Sequence, residues 1–411
     1  MEKLNLEKSL KMFEEAKELT PGGCLGIRRP YNFVPGEYPI FIDHGYDGHI
    51  VDVDGNDYID MLCAYGPIIL GYNEDEINEA VKKQMDKGFC FTMIQEVQNK
   101  LEKKLIDIIP SAEMAVLAKT GSDGTTMAVR IARGFSKKKK VLRCGYHGWH
   151  DWCVEVEGGV PEEILDMTYG FKFGDIDQLK DLLEKHADDT ACIIMTPFGH
   201  PLAKPMVKPP EGYLQQVRDL ADEYGVVLVF DEIRTGFRMA LGGAQEYYGV
   251  TPDLSVFGKA MANGYPISAV VGKKEIMKVL EKEVFVSSTF FPNSLEMVAA
   301  LKTIEIIERD NVIEKVWEKG EKYLEGCKKL AKKYNVPVKV TGIAPMSFIT
   351  FEKVDDKYKE RRKRFYTETI RRGLFIQPYH HGYVAYRHTD KDIEKALSIV
   401  EKGFEIISEE Y

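Results

Sequence analysis

From about residue 75 to about residue 280 the chain alternates helical stretches with short, continuously apolar runs, and this alternation restricts its fold more than any other feature. The helical stretches include DEINEAVKKQM, VQNKLEKKLIDII, TTMAVRIARGF, IDQLKDLLEKH and YLQQVRDLADEYG. Between them run MAVLA, KVLRC, ACIIM, VVLVF and SAVVG. A strand that is apolar on both faces and lies between helices belongs in a mainly parallel sheet covered on both sides. The fold class read from the pattern is therefore α/β.

The flanks follow other rules. Near the N-terminus Leu6, Leu10, Phe13 and Ala16 share one helical face, and Pro21-Gly22-Gly23 ends that helix. The segment IVDVDGNDYIDM then places alternating residues on either side of Asp54-Gly55, a hairpin signal because Asp-Gly supplies the positive φ angles of a tight turn. After Asn293 come long helical segments to about Tyr334, then PVKVTG, MSFITF, another helix, a His-rich stretch and a final helix from Asp390. The expected organisation is residues 1–60 as an N-terminal helix and hairpin, 61–293 as a large domain, and 294–411 as a smaller α+β domain that the N-terminal part joins.

With 411 residues, the chain is long enough for two or three packed units. Its net charge of −9, spread along the sequence, leaves no basic footprint for nucleic acid. The basic run Lys137–Lys140 reads as a solvated turn. The seven cysteines are odd in number, widely spaced and without a CxxC pair, so neither a disulfide framework nor a zinc ribbon is indicated. The first residues carry charges throughout, unlike a signal peptide, and no run is apolar for the ~18 residues of a membrane span. The expectation is a cytoplasmic protein with neither membrane nor nucleic acid as partner.

In an open α/β sheet, ligands sit beyond the carboxyl ends of the strands. Four such junctions carry chemistry. MAVLA leads into KTGSDGTTMAVRIAR, where Gly121, Ser122 and Gly124 open a helix whose unpaired N–H groups favour a phosphate. VVLVF ends in Asp231-Glu232, and a carboxylate at the end of a buried strand calls for a positive partner such as a protonated pyridine nitrogen. DLSVFGKAMANGYP sets Lys259 just after a strand, where a lysine that loses its proton can form an imine. KVLRC leads to Gly145-Tyr146-His147-Gly148, with an aromatic able to lie on a planar ring. Each has a plain alternative: a turn, a helix cap, a surface charge, a core tyrosine. Together they supply a phosphate cradle, a pyridinium partner, an imine-forming amine and a stacking surface, the parts of a pyridoxal-phosphate (PLP) site.

The segments TGSDGTTMAVRIAR, GYHGWHD, VVLVFDEIRTGFR, FGKAMANGYPISAVVG and SSTFFPNSLEMVAA, in this order, resemble the class III aminotransferases of PLP fold type I, most closely the glutamate-1-semialdehyde 2,1-aminomutase branch. The resemblance runs from about Glu18 to Phe404. It implies a seven-stranded, mainly parallel sheet in the large domain. It further implies that Lys259 carries the cofactor as a Schiff base and Asp231 partners its pyridine nitrogen. Gly121 and Ser122 then hold its phosphate, while Tyr146 and Ile233 cover the two faces of its ring. Thr289 is implied to reach the phosphate of a neighbouring subunit's cofactor, which makes the unit a homodimer with shared active sites. The partners implied are a small-molecule amino donor and a carbonyl acceptor.

Departures cluster where substrate is expected. Pro21-Gly22-Gly23 leads through Cys24 and Gly26 to Arg28-Arg29, so Arg29 is the candidate reader of a substrate carboxylate. Where much of the family has Glu-Pro after a strand, this chain has Thr196-Pro197-Phe198-Gly199-His200. His380 stands where the aminomutase has a glutamate. Arg29, His200 and His380 are the substrate-side candidates. Absence of that glutamate favours an aminotransferase over the aminomutase, with an amino-acid racemase or epimerase as a third outcome of the same first steps. A metallohydrolase using His147-x-x-His150-Asp151 is the remote alternative, since catalytic zinc needs three defined ligands and an open position.

Overall fold

The computed structural model describes residues 2–411, which divide into two compact units. The larger comprises Asp75–Gly199 and Val207–Ile313; the smaller comprises the chain up to Glu74, His200–Met206 and Glu314–Tyr411. This division differs from the expected spans of 1–60, 61–293 and 294–411: residues 61–74 and His200–Met206 fall in the smaller unit, and the larger gains the helix Ser294–Arg309. That helix packs on Asp75–Met85 and Glu96–Ile108, and Arg309 and Glu308 reach Glu76 and Lys104, each at 2.7 Å.

The larger unit is built on a seven-stranded sheet in the order Met114–Ala118, Ser268–Gly272, Leu254–Phe257, Val227–Asp231, Thr190–Met195, Lys140–Cys144, Thr168–Gly170. Its pairings are parallel except for Ser268–Gly272, which runs antiparallel to both neighbours. The physical reason lies in the connection. Only a short turn containing Lys259–Ala262 separates Leu254–Phe257 from Ser268–Gly272, and a parallel return needs a longer crossover. The continuous apolar runs conceal a two-residue period. Val227 and Val229 face one core with Val141, Cys192, Val256 and Met127, whereas Leu228 and Phe230 face another with Leu142, Ile193, Leu179 and Val217. A sheet buried on both faces has no polar side to reveal in its sequence.

In the smaller unit, Ile42–Tyr46, His49–Asp52 and Asp57–Asp60 form antiparallel pairs, and Leu374–Phe375 adds in parallel to Asp57–Asp60. The Asp54-Gly55 turn does more than reverse the chain: the Asp54 carboxylate accepts from the amides of Lys8 and Ser9, tying down the start of the helix Glu7–Leu19. A second sheet holds Val338–Ile343, Met346–Phe351 and Gly382–Tyr383. The helices Tyr358–Arg371 and Asp390–Glu410 pack through Phe365 and Phe404, whose rings stack at 5.0 Å. Among the described residues, no helix is long and apolar enough to cross a membrane.

Candidate active site

Neighbouring strands bring the two central candidates together. Asp231 ends Val227–Asp231 and pairs in register with Val256, three residues before Lys259 on the adjacent strand. Both side chains therefore emerge at the carboxyl edge of the sheet. Lys259 has a left-handed φ of 44°, an uncommon conformation for a residue with a Cβ. Such strain concentrates at functional sites. Burial lowers the Lys259 pKa to about 7, helped by the Arg234 guanidinium and opposed by Asp231. A lysine in this state supplies the unprotonated amine that an imine requires.

Asp231 is buried and held at both oxygens. Oδ1 accepts from the Ile233 amide at 3.1 Å, and Oδ2 meets Nδ1 of His147 at 2.8 Å. A carboxylate oxygen has a second acceptor site, so the pair still has room to accept from a protonated ring nitrogen. His147 is almost fully buried, and its ring lies nearly parallel to that of Trp152 at 6.2 Å. Reading the sequence placed His147 among possible metal ligands. The structure makes it the neighbour that orients Asp231, and among the described residues no group of three or more His, Cys, Asp or Glu is placed to hold a metal ion.

At the helix Gly121–Ser136, Thr120 forms a capping box with Asp123, which satisfies the Asp123 amide at 3.1 Å and the Thr120 amide at 2.8 Å. The box leaves the amides of Gly121 and Ser122 at the positive end of the helix dipole for an anion. Space there is guarded by glycine. A Cβ at Gly148 would lie 2.4 Å from Ser122 Oγ, and one at Gly121 would lie 2.8 Å from Ile233 Cδ1. Ile233 also approaches Gly258, where a Cβ would lie 3.7 Å from Ile233 Cγ2. The apolar candidate thus sits between the helix start and the lysine turn. Tyr146, partly exposed, lies with its ring 6.0 Å from the Arg234 guanidinium. Gly121, Ser122, Tyr146, Asp231, Ile233 and Lys259 all belong to the larger unit and converge on one edge of its sheet. The donor set suits PLP: a neutral amine for the aldehyde, an acid for the ring nitrogen, an apolar contact for the ring and free amides for the phosphate.

A structural clamp beside this edge had no sequence signal beyond the Asp-Glu pair itself. Glu232 is buried and accepts from the Ala244 and Gln245 amides, each at 2.8 Å, and from the Thr235 hydroxyl. Burial pushes its pKa up to about 7. It fixes the turn that follows Asp231.

Thr289 lies apart from this cluster, exposed in the segment that borders a cavity of about 610 Å³ with Cys90, Phe91, Ile94 and Leu117. Arg29, His200 and His380 belong to the smaller unit. There Arg29 folds on its own loop: Nε donates to the Cys24 carbonyl at 3.3 Å. His380 and His381 stack at 4.2 Å, His200 lies 5.7 Å from His381, and His381 Nε2 bonds the Tyr383 hydroxyl at 2.8 Å. Tyr65, which the sequence reading passed over, packs edge-on against His380 at 5.1 Å and accepts from Gln377 at 3.1 Å.

The family described as Aminotransferase class-III matches residues 33–404. The 3-aminobutyryl-CoA aminotransferase of Cloacimonas acidaminovorans is 58% identical over 404 residues, 98% of each chain. The glutamate-1-semialdehyde 2,1-aminomutase of Persephonella marina is 33% identical over 428 residues, covering 98% of this chain and 99% of that one. Among solved structures, the PLP internal aldimine form of the FumI protein of Sphingopyxis sp. MTA144 superposes with a TM-score of 0.92 at 29% identity, covering 97% and 96% of the two chains. An omega-transaminase from Sphaerobacter thermophilus gives 0.89 at 25% identity over 97% of both chains. Matched along nearly its whole length, the chain belongs to the class III aminotransferases, with fold type I architecture and pyridoxal phosphate as its cofactor.

Proposed function

We propose that the protein moves the amino group of a 3-aminoacyl-CoA thioester to a keto acid, with 3-aminobutyryl-CoA as the amino donor. The observation that carries this reading is the 58% identity, over 98% of both chains, to a relative named for that substrate. Local chemistry agrees. A thioester has no free carboxylate beside its carbonyl and so makes no demand on Arg29, whose Nε donates to the Cys24 carbonyl of its own loop. The imidazoles of His380 and His381 and the hydroxyl of Tyr383 suit a thioester carbonyl better than a glutamate carboxylate would.

Lys259 is the residue that would hold the cofactor in this proposal, and its Nζ, unprotonated near neutral pH, would take the proton from the amine-bearing carbon of the donor. Asp231, oriented by His147, keeps the proton on the ring nitrogen. Gly121 and Ser122 would hold the phosphate through their amides, and Tyr146 and Ile233 would contact the ring. When bound, pyridoxal phosphate supplies the electron sink for the pair left on that carbon. The donor leaves as a 3-oxoacyl thioester, and the amino group passes to the acceptor.

The functional unit in this reading is a homodimer, with Thr289 directed at the partner's cofactor phosphate. Phe91 and Ile94, which line a cavity with Thr289, are exposed, as are Met93, Phe285 and Phe290 close to them along the chain, apolar exposure of the kind that marks an interface. None of the seven cysteines forms a disulfide, which suits a reducing cytoplasm. The aminomutase relatives, at 33% identity, support a second reading in which the amino group returns to the same molecule.

The test incubates holoenzyme with 3-aminobutyryl-CoA, with and without a keto acid. Formation of the 3-oxo thioester in proportion to aminated acceptor, abolished by Lys259→Ala in a folded protein, is expected. Turnover without any acceptor favours the aminomutase. No conversion of the thioester under conditions where simple amines react overturns the substrate assignment.

A further inference from the structure

We propose that a cavity of about 520 Å³ in the larger unit, lined by Thr126, Arg130, Arg133, Trp149 and His150 among others, binds the phosphorylated adenosine end of the CoA donor. This inference rests on the thioester reading above.

Arg130 and Arg133 lie one turn apart on the helix Gly121–Ser136 and line the same cavity. Arg218 pairs with Asp222 and Asp253, and Arg309 with Glu76. Neither cavity arginine has a carboxylate partner among the described residues. Each instead spends an N–H on a backbone carbonyl: Arg130 on Phe285 at 3.1 Å and Arg133 on Lys139 at 2.7 Å. Those bonds anchor two guanidiniums and leave their other donors for an anion. Arg133 is partly buried, and burial and Arg130 both disfavour its charge, a cost that a phosphate between them would offset.

The rest of the cavity suits a flat base. Trp149 is 69% exposed, an unusual setting for an indole, and stands edge-on to His150 at 5.0 Å. Beneath it the wall is ordered. Trp152 Nε1 donates to Thr126 Oγ1 at 2.8 Å, and that hydroxyl meets His150 Nδ1 at 2.7 Å. Asp151, the carboxylate in the lining, is ion-paired with neither arginine and can accept from an adenine amino group. The volume is within the range of small-molecule sites. It adjoins the cofactor's phosphate cradle without coinciding with it: the Trp149 amide donates to Ser122 Oγ at 3.4 Å, whereas Arg130 follows Ser122 by eight residues, about 12 Å along the helix axis. A CoA thioester has an arm that bridges two such places; a small amino acid does not.

The test compares two donors on holoenzyme, the 3-aminobutyryl thioesters of CoA and of pantetheine, which lacks the nucleotide. Wild type is expected to favour the CoA thioester in kcat/KM. Arg130→Gln with Arg133→Gln should raise KM for the CoA thioester about tenfold to a hundredfold, the loss expected for charge-assisted bonds, with kcat nearly unchanged. The pantetheine thioester should react equally with both enzymes. Adenosine 3′,5′-bisphosphate should quench tryptophan fluorescence saturably in wild type, and the quench should disappear in the double variant and in Trp149→Phe. Equal kcat/KM for the two donors in wild type overturns the proposal while leaving the substrate reading intact. An unchanged quench in the double variant overturns it too. Saturable quenching lost in the variants, with neither thioester turned over, supports the site and counts against the substrate reading instead.

Discussion

Replacing Lys259 with methionine should make the cofactor-free protein more stable, and the gain should depend on pH in a way that identifies its cause. Burial lowers the lysine's pKa from 10.5 to about 7. At about 1.4 kcal/mol per pH unit, the charged amine costs the folded chain about 5 kcal/mol more than the unfolded one. Near pH 7 the folded amine is half-protonated while the unfolded one is charged, which leaves about 4 kcal/mol. The sign follows from proton counting. Between about 7 and 10.5 the unfolded chain binds more protons, so wild-type stability rises with pH across that window and falls as pH drops through it. Methionine fills similar space without charge, and the left-handed φ of 44° is common to both proteins, so its strain cancels in the comparison. Allowing for side-chain relaxation, the variant should gain about 2–4 kcal/mol near pH 7 and almost nothing near pH 10.5. Urea unfolding of both proteins, stripped of cofactor and followed by tryptophan fluorescence at several pH values, measures this directly. A difference that stays constant with pH, or a variant less stable than wild type near pH 7, refutes the argument that desolvation keeps this amine reactive.

Other outcomes follow from neighbouring geometry. Asp231→Asn should fold and bind cofactor but lose about two to three orders of magnitude in kcat/KM, the scale of removing one preorganised charge-stabilising group; near wild-type rates would assign the ring nitrogen to another residue. Gly148→Ala puts a Cβ 2.4 Å from Ser122 Oγ at a φ of 121°, so cofactor affinity measured by titration should weaken at least about tenfold. His388 is buried, takes the Ala385 amide on Nδ1 at 2.9 Å, and has its pKa lowered by burial to about 4. Its neutral form is the one that folds, so stability should drop by about 3 kcal/mol as pH falls from 6.5 through 4, and His388→Asn should flatten that part of the urea-midpoint profile.

What the sequence disclosed of this site has a physical logic. Asp231 and Lys259 were legible because each polar residue ends a run of apolar ones, and a strand buried on both faces keeps charge only where chemistry needs it. The helix start at Gly121 was legible from its small residues. His147 was visible as a histidine but not as the partner of Asp231, because the two are 84 residues apart and meet at 2.8 Å only because their strands both pair in parallel with Thr190–Met195, which lies between them. The Glu232 clamp was hidden for the same reason, its donors lying on the turn around Ala244. The helix Ser294–Arg309 reads like the helix after it. Only its packing on Asp75–Met85 and Glu96–Ile108 reveals its membership in the larger unit. Substrate-side residues were least legible. Arg29 and His380 follow from alignment of motifs, whereas their neighbours Cys24, Tyr65 and His381 follow from loop geometry that no spacing rule describes.

The pairing of Asp231 with Val256 makes the backbone itself a ruler. The separation of acid and amine is set by a hydrogen-bond ladder and the three-residue step from Val256 to Lys259, and no single side chain defines it. Apolar substitutions at Val229, Val256 or Phe257 would loosen the protein without altering that measurement. Chain length behaves differently: one residue added or removed between Val256 and Lys259 would shift the amine out of the turn that follows the strand and away from its register with Asp231. The region should therefore accept many changes of letter and none of count. Single-residue deletions at Phe257 or Gly258, which keep both Val256 and Lys259, should yield proteins that bind the cofactor without ever attaching it.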